Sequence, residues 1–166
     1  CADALVGSAM AGRGLCRYAA AEAMFSAALR VYRRADDRAG AAFALYGRGG
    51  ARRFLGRFRT ARRDLEQSLA LAGDDEARAF TLMALGGLLR MTGDLAASLR
   101  RYRAARRLAV RRRLRYATAY ADCGIGNALR LLGRGAAARR HLDRAEALYR
   151  RLGDRVSRPY TIWALT

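Results

Sequence analysis

The chain has 166 residues, 52% of them apolar, and its 33 basic and 14 acidic side chains leave a net charge of +19. No apolar run approaches the ~18 residues that span a bilayer, so a membrane protein is not expected. One histidine and three scattered cysteines lack the spacing of a metal site or a disulfide framework, and they favour a reducing, cytoplasmic location.

The sequence is rich in helix-forming residues. Leucine and alanine dominate and the single proline is Pro159, which predicts an all-α protein. Apolar periodicity predicts paired helices, in chain order, over 2–34, 40–71, 78–110, 117–152 and, for the first helix of a fifth pair, 159–166. We expect one domain over 1–166. Because the chain begins with Cys1 and stops inside an apparent helix, we also expect it to be a piece of a longer protein.

The third pair, within 78–110, has the clearest pattern. Leucines at helical spacing surround Gly86. A glycine inside a helix costs about 1 kcal/mol relative to alanine, so Gly86 predicts the close approach of a neighbouring helix. Gly93 is predicted to end the first helix, and Asp94 to cap the second.

The chain repeats this pattern. Small residues recur midway along the first helices, at steps of 40, 37 and 40 residues: Ala9, Gly49, Gly86 and Gly126. The turns between paired helices recur at the same steps: Cys16, Gly56, Gly93 and Gly133. Acidic turns at Asp36–Asp37, Asp74–Asp75 and Asp154 separate most pairs, and their carboxylates are expected to cap the helices that follow.

This pattern resembles the tetratricopeptide repeat. Each second helix has a small residue followed four positions later by a bulky apolar one, as in Ala61 and Leu65. The steps exceed the family's usual 34 residues and resemble the long-helix variety of bacterial regulatory and signalling proteins. The resemblance implies an α-solenoid of stacked antiparallel hairpins, a right-handed superhelix with first helices on its concave side. Arg48, Arg52 and Asp122 depart from the family pattern, which has apolar residues there.

The resemblance also implies a peptide-binding groove along the first helices. Its predicted side chains combine aromatic rings with one arginine per repeat: Arg13, Phe43, Tyr46, Arg53, Phe80, Met83, Arg90, Tyr120, Asn127, Arg130 and Tyr160. The resemblance assigns Asn127 hydrogen bonding to the partner's backbone or carboxylate. Glycines such as Gly47, Gly50 and Gly124 would form the floor.

Other interpretations of these positions stay open. The four arginines could be solvated or could pair with neighbouring repeats. Phe43 and Phe80 could be core residues, and the glycines could serve only close packing.

A second candidate site is arginine-rich. Residues 100–115 contain nine arginines and no acidic residue. The candidate polyanion-binding residues are Arg106, Arg107, Arg111, Arg112, Arg113 and Arg115. Because every basic residue of the chain is arginine, a solvated surface shaped by coding bias is the alternative.

We therefore expect a scaffold or sensor module without enzymatic activity or cofactor, which binds an acidic or amphipathic peptide of a protein partner in a bacterial regulatory protein. Nucleic-acid binding is the second hypothesis. Self-assembly through the C-terminal end, where Trp163 would be exposed, is the third. His141 is expected at the surface, without a catalytic role.

Overall fold

A computed structural model describes residues 1–165. These residues form nine α-helices and no strand, which confirms the all-α prediction. Thr166, the last residue of the predicted fifth first helix, lies outside the described part. The helices are α1 (Ala2–Gly14), α2 (Tyr18–Arg34), α3 (Arg38–Phe54), α4 (Phe58–Leu71), α5 (Asp75–Met91), α6 (Leu95–Arg111), α7 (Arg115–Leu131), α8 (Gly135–Leu152) and α9 (Ser157–Trp163).

The helices belong to two compact units that divide between Ala77 and Arg78. In the first unit, α1 packs on α2, α2 on α3 and α3 on α4, and α1 also contacts α3. In the second unit, α6 packs on α7, α7 on α8 and α8 on α9. A hydrogen bond from Ser98 Oγ to the Gly86 carbonyl, 2.7 Å long, joins α6 to α5.

Most hairpin turns use a left-handed residue. Gly93 has a φ of 85°, and Asp94 accepts a hydrogen bond of 3.0 Å from the backbone N–H of Ala97. Both predictions at this turn are confirmed. Cys16 takes the same left-handed conformation in the first hairpin, with a φ of 60°. A side chain at this φ is strained, whereas glycine is not.

Acidic side chains cap the first helices at three of the predicted places. Asp37 Oδ1 accepts from the Gly40 N–H at 2.8 Å, and Asp74 Oδ1 accepts from the Ala77 N–H at 2.8 Å. Asp154 Oδ1 accepts hydrogen bonds of 2.8 Å from the backbone N–H groups of Val156 and Ser157, at the start of α9. The predicted caps are confirmed at these three carboxylates.

Glycines make room for bulky side chains of the second helices. A Cβ on Gly86 would lie 2.9 Å from the Tyr102 ring, which supplies the packing reason that the sequence demanded. A Cβ on Gly124 would overlap with the other edge of the same ring, and one on Gly47 would overlap with the Phe25 ring. Gly47 and Gly124 therefore serve close packing, and the expectation that they form a groove floor is wrong.

None of the helices in residues 1–165 combines the length and the apolar character that crossing a membrane requires.

Candidate functional site

In the first unit, Arg13 bridges α1 and α3. Its guanidinium carbon lies 5.3 Å from the centroid of the Tyr46 ring. Gly50 permits this position, because a Cβ there would lie 2.8 Å from an Arg13 guanidinium nitrogen. A guanidinium at this distance over an aromatic ring is attracted by the negative face of the ring. Arg13 is thus held in place by the Tyr46 ring and by the space that Gly50 leaves.

The second arginine of this unit also lies on an aromatic ring. The Arg53 guanidinium carbon is 4.6 Å from the Phe54 ring centroid, and Phe54 stacks on Tyr18 at 4.8 Å. Sequence reasoning missed Tyr18 and Phe54 because they lie beside the turn rather than on the expected groove stripe.

Of the two phenylalanines with a possible core role, Phe43 is 44% exposed. Its ring lies 6.0 Å from the Tyr46 ring. The core interpretation of Phe43 is therefore wrong, because an exposed ring beside Tyr46 belongs to the surface. Phe80 of the second unit is half-buried.

In the second unit, Arg130 repeats the arrangement of Arg13. Its guanidinium carbon lies 5.8 Å from the centroid of the Trp163 ring, at the position in α9 that corresponds to Tyr46 in α3. Tyr160 contacts Trp163 at 6.2 Å between ring centroids and is itself 46% exposed. The alternative in which the arginines contact neighbouring repeats thus holds for Arg13 and Arg130, through rings rather than carboxylates.

Arg90 is surrounded by phenol groups. Burial acts against its charged form, yet Tyr102, Tyr160 and Tyr120 face it and raise the pKa of its guanidinium. Tyr102 forms a side-chain hydrogen bond with the Arg90 guanidinium, whereas Arg90 Nε is buried without a partner. Within residues 1–165, Arg90 forms no ion pair with a carboxylate. A buried cation normally has an anionic partner.

Asn127 lies deeper than predicted and is only 2% exposed. Its Nδ2 donates to the carbonyl of Cys123 at 3.0 Å, whereas its Oδ1 is buried without a partner. Cys123 Sγ also accepts from Thr161 Oγ1 at 3.5 Å, and burial raises the pKa of this thiol. The Asn127 Oδ1 atom is therefore a buried hydrogen-bond acceptor without a donor, next to the buried Cys123.

Two predicted groove contacts need correction. Met83 is 1% exposed and Asn127 is 2% exposed, so neither offers the open surface expected of it. All residues from Thr81 to Leu89 and from Ala121 to Leu129 are buried. Over these nine-residue segments, α5 and α7 therefore expose no row of side chains to a ligand. The apolar pattern of a single helix does not show how much of it neighbouring helices cover.

Arg48 and Arg52 depart from the family pattern because they join a network of ion pairs. Arg48 binds both oxygens of the buried Asp64 at 2.8 Å. Arg52 bridges Asp64 at 2.9 Å and Glu22 at 2.8 Å, and Arg57 also pairs with Glu22. The network connects α2, α3 and α4 and satisfies the buried carboxylate.

Asp122 has the corresponding role in the second unit. Its side chain is 1% exposed and accepts from Arg106 Nε at 2.9 Å, with His141 Nδ1 2.6 Å from the same oxygen. The His141 side chain is 21% exposed, so it lies only partly at the surface, where it was expected. Arg106 is also removed from the candidate polyanion site, because its guanidinium serves a buried carboxylate.

The other candidate polyanion residues are exposed: Arg107, Arg111, Arg112, Arg113 and Arg115. No group of histidine, cysteine and acidic side chains in the described part of the chain is placed to hold a metal ion.

Three comparisons with known proteins bear on this geometry. The family model of the tetratricopeptide repeat matches residues 1–74. The crystal structure of BtubC (BKLC) from P. vanneervenii is similar in fold, with a TM-score of 0.74 and 15% identity, over 92% of this chain and 65% of that chain. At this identity the likeness shows the fold alone. No curated protein matches the sequence.

Proposed function

We propose, from similarity to the tetratricopeptide repeat family, that the first helices of the chain bind an acidic or amphipathic peptide of a partner protein. The model of that family matches residues 1–74, and its members generally mediate protein–protein interaction and are typically not catalytic. The proposed role is a scaffold or sensor module, without enzymatic activity, in a bacterial regulatory protein.

The environment of Arg90 carries this proposal. The side chain is half-buried, its one polar contact is a hydrogen bond with the neutral Tyr102 phenol, and no carboxylate of residues 1–165 pairs with it. Desolvating a guanidinium without a counter-charge is unfavourable, so a carboxylate from a partner would relieve this cost. Charge-assisted hydrogen bonds between guanidinium and carboxylate are among the strongest that a protein forms.

A second buried atom without a partner, Asn127 Oδ1, supports a peptide as the ligand. This oxygen is an acceptor without a donor. Asn127 contacts Cys123 on the same helix, and the positive charge of Arg90 acts on the Cys123 thiol by lowering its pKa against the effect of burial. A peptide supplies both partners, a carboxylate for Arg90 and a backbone N–H for Asn127. Binding would require a small opening around Asn127, because that side chain is closed off in this structure.

Aromatic rings beside the arginines supply the apolar part of the site. Tyr160 is 46% exposed and Trp163 is 64% exposed, and Arg130 stacks on the Trp163 ring. Such rings provide contact area at low entropic cost. We therefore propose a peptide that places an apolar side chain next to an acidic one.

A peptide array tests the proposal. The chain is bound to arrayed peptides in which acidic residues alternate with aromatic or aliphatic ones, and to matched peptides with every acid replaced by its amide. The variants are Arg90→Gln and, as a control that removes one positive charge from an exposed position on α8, Arg139→Gln. We expect wild type and Arg139→Gln to prefer the acidic peptides, and Arg90→Gln to bind them roughly 10- to 100-fold more weakly.

Equal binding of acidic and amide peptides would refute the proposal. An equal loss in both variants would also refute it, because the preference would then follow total charge.

A further inference from the structure

The second helices differ in how their charges are balanced. The helix α2 contains Glu22, α4 contains Asp64 and Glu66, and α8 contains Asp143 and Glu146. The helix α6 contains no acidic residue, and none occurs anywhere in residues 95–121. Arginines on α6 therefore lack the acidic neighbours on their own helix that the other second helices provide.

Three exposed arginines share one face of α6. Arg100, Arg103 and Arg107 are separated by three and four residues, so they project from the same side of the helix. With a rise of about 1.5 Å per residue, neighbouring arginines stand about 5 and 6 Å apart along the axis. We name this row the α6 arginine stripe.

Repulsion between the arginines of the stripe destabilises α6. Like charges three or four residues apart each destabilise an isolated helix by about 0.2–0.5 kcal/mol. On α4 the same spacing is used favourably, since Arg62 Nε lies 2.8 Å from Glu66 Oε1. An external anion would reverse the unfavourable term on α6.

Further exposed arginines follow the end of α6 in the sequence. Arg113 and Arg115 are exposed in and after the turn, and Arg113 holds a left-handed φ of 56°. Arg106, which faces Asp122, does not belong to this surface.

We propose that the α6 arginine stripe, with Arg113 and Arg115 beyond it, binds the phosphate backbone of a double-stranded nucleic acid without reading its sequence. Arginines in a row match a chain of phosphates, and each guanidinium donates in a forked geometry suited to phosphate oxygens. The aromatic residue of α6, Tyr102, is only 3% exposed, so the stripe itself has no ring on which single-stranded bases could stack. Tyr116, next to Arg115, is 43% exposed, but its ring already stacks on Tyr120. Backbone contacts to a duplex therefore fit this surface best.

The test compares two triple variants that lose the same charge. One is Arg100→Gln, Arg103→Gln and Arg107→Gln. Its matched control is Arg30→Gln, Arg59→Gln and Arg63→Gln, at exposed positions of α2 and α4. Fluorescence anisotropy follows binding to a labelled mixed-sequence DNA duplex, an RNA duplex of equal length and a single-stranded oligouridylate, at salt concentrations between about 50 and 200 mM.

We expect the wild type and the control to bind a duplex with a steep salt dependence. The stripe variant should reduce the slope of log K against log salt by about 3, since each phosphate contact contributes about 0.9. A third variant with lysine at positions 100, 103 and 107 should keep most of the binding, because lysine retains the charge. Circular dichroism verifies that all variants keep their helix content.

Several results would overturn the proposal. Equal losses in the stripe variant and the control would assign binding to total charge. Loss in the lysine variant as large as in the glutamine variant would point to a structural effect. Stronger binding of the oligouridylate, or binding only to vesicles that contain phosphatidylserine, would assign the surface to another partner.

Discussion

The helices α1 and α7 occupy the same place in their repeats but have different surroundings. Of 13 residues in α1, three are buried: Ala2, Val6 and Ala9. Of 17 residues in α7, eleven are buried. The helix α7 packs against α6 and α8, and its Cys123 also accepts a hydrogen bond from Thr161 of α9. The comparison shows that a residue's place in the repeat does not decide its role; the helices that enclose it do.

Gly7 in α1 and Gly124 in α7 occupy equivalent positions of their repeats, and they show the same contrast between an open and an enclosed helix. Nothing lies within 4 Å of a Cβ added to Gly7, whereas one on Gly124 would overlap with the Tyr102 ring.

The largest effect is expected at Asp122. Asp122→Ala leaves the guanidinium of Arg106 and the ring of His141 without their buried carboxylate, which should lower the free energy of unfolding by about 3 kcal/mol. Leu5, at the equivalent position in α1, is only partly buried, so Leu5→Ala should cost less. Urea unfolding of both variants measures the difference. Equal losses would contradict the contrast between the helices.

The glycines test the contrast directly. Gly124→Ala should destabilise the protein by about 1–3 kcal/mol, because the added methyl group displaces the Tyr102 ring. Gly7→Ala should stabilise it by up to about 1 kcal/mol through helix propensity. Thermal and urea unfolding report both changes. Combining Gly124→Ala with Tyr102→Leu should recover part of the loss, and no recovery would show that the ring is not the cause.

The turn residues give a smaller effect of opposite sign. Cys16→Gly should stabilise the first hairpin by about 1 kcal/mol, because Cys16 holds a left-handed φ of 60°. Gly133, which has a φ of 73° at the same place in the fourth hairpin, provides the reverse change. Gly133→Cys should destabilise by a similar amount, as measured by urea unfolding. A stabilising Gly133→Cys would show that the turn does not decide the effect.

The smallest effect concerns Tyr32, whose hydroxyl donates to Asp3 Oδ1 at 2.6 Å. Burial, together with this hydrogen bond, raises its pKa from 10.0 to about 12. Because the folded state holds the proton more tightly, its contribution to stability is present below pH 10.0 and is lost as pH rises towards about 12. Tyr32→Phe should cost about 0.5 kcal/mol at neutral pH, since Asp3 is exposed and can be hydrated.

Unfolding measured between pH 9 and pH 12 tests the tyrosine effect. We expect Tyr32→Phe to flatten the alkaline loss of stability relative to wild type. Burial also raises the pKa of Tyr149, at the equivalent place in α8, so that group should contribute a further loss of stability above pH 10.0. An unchanged alkaline profile in Tyr32→Phe would exclude this assignment.

Much of the fold was predictable because it depends on local chemistry. The left-handed turn at Gly93, the cap at Asp94 and the helical periodicity are properties of a few neighbouring residues. The need for a packing partner at Gly86 was also predictable, although the identity of that partner, Tyr102, was not.

The candidate site was predictable only in part. The arginine row follows from the register, but its stacking on Tyr46 and Trp163 depends on how neighbouring first helices meet. The burial of Met83 and Asn127 could not be predicted, because a stripe on one helix does not report which neighbours cover it.

By itself, the sequence determined a repeating array of paired helices, the residues at its turns and the excess of arginine. Only the tertiary structure decided which of the repeated positions are open. It brought Asp122 to Arg106 and His141, and it enclosed Gly47 and Gly124 under aromatic rings. The physical reason is that periodicity describes one helix, whereas burial and ion pairing arise where three helices meet.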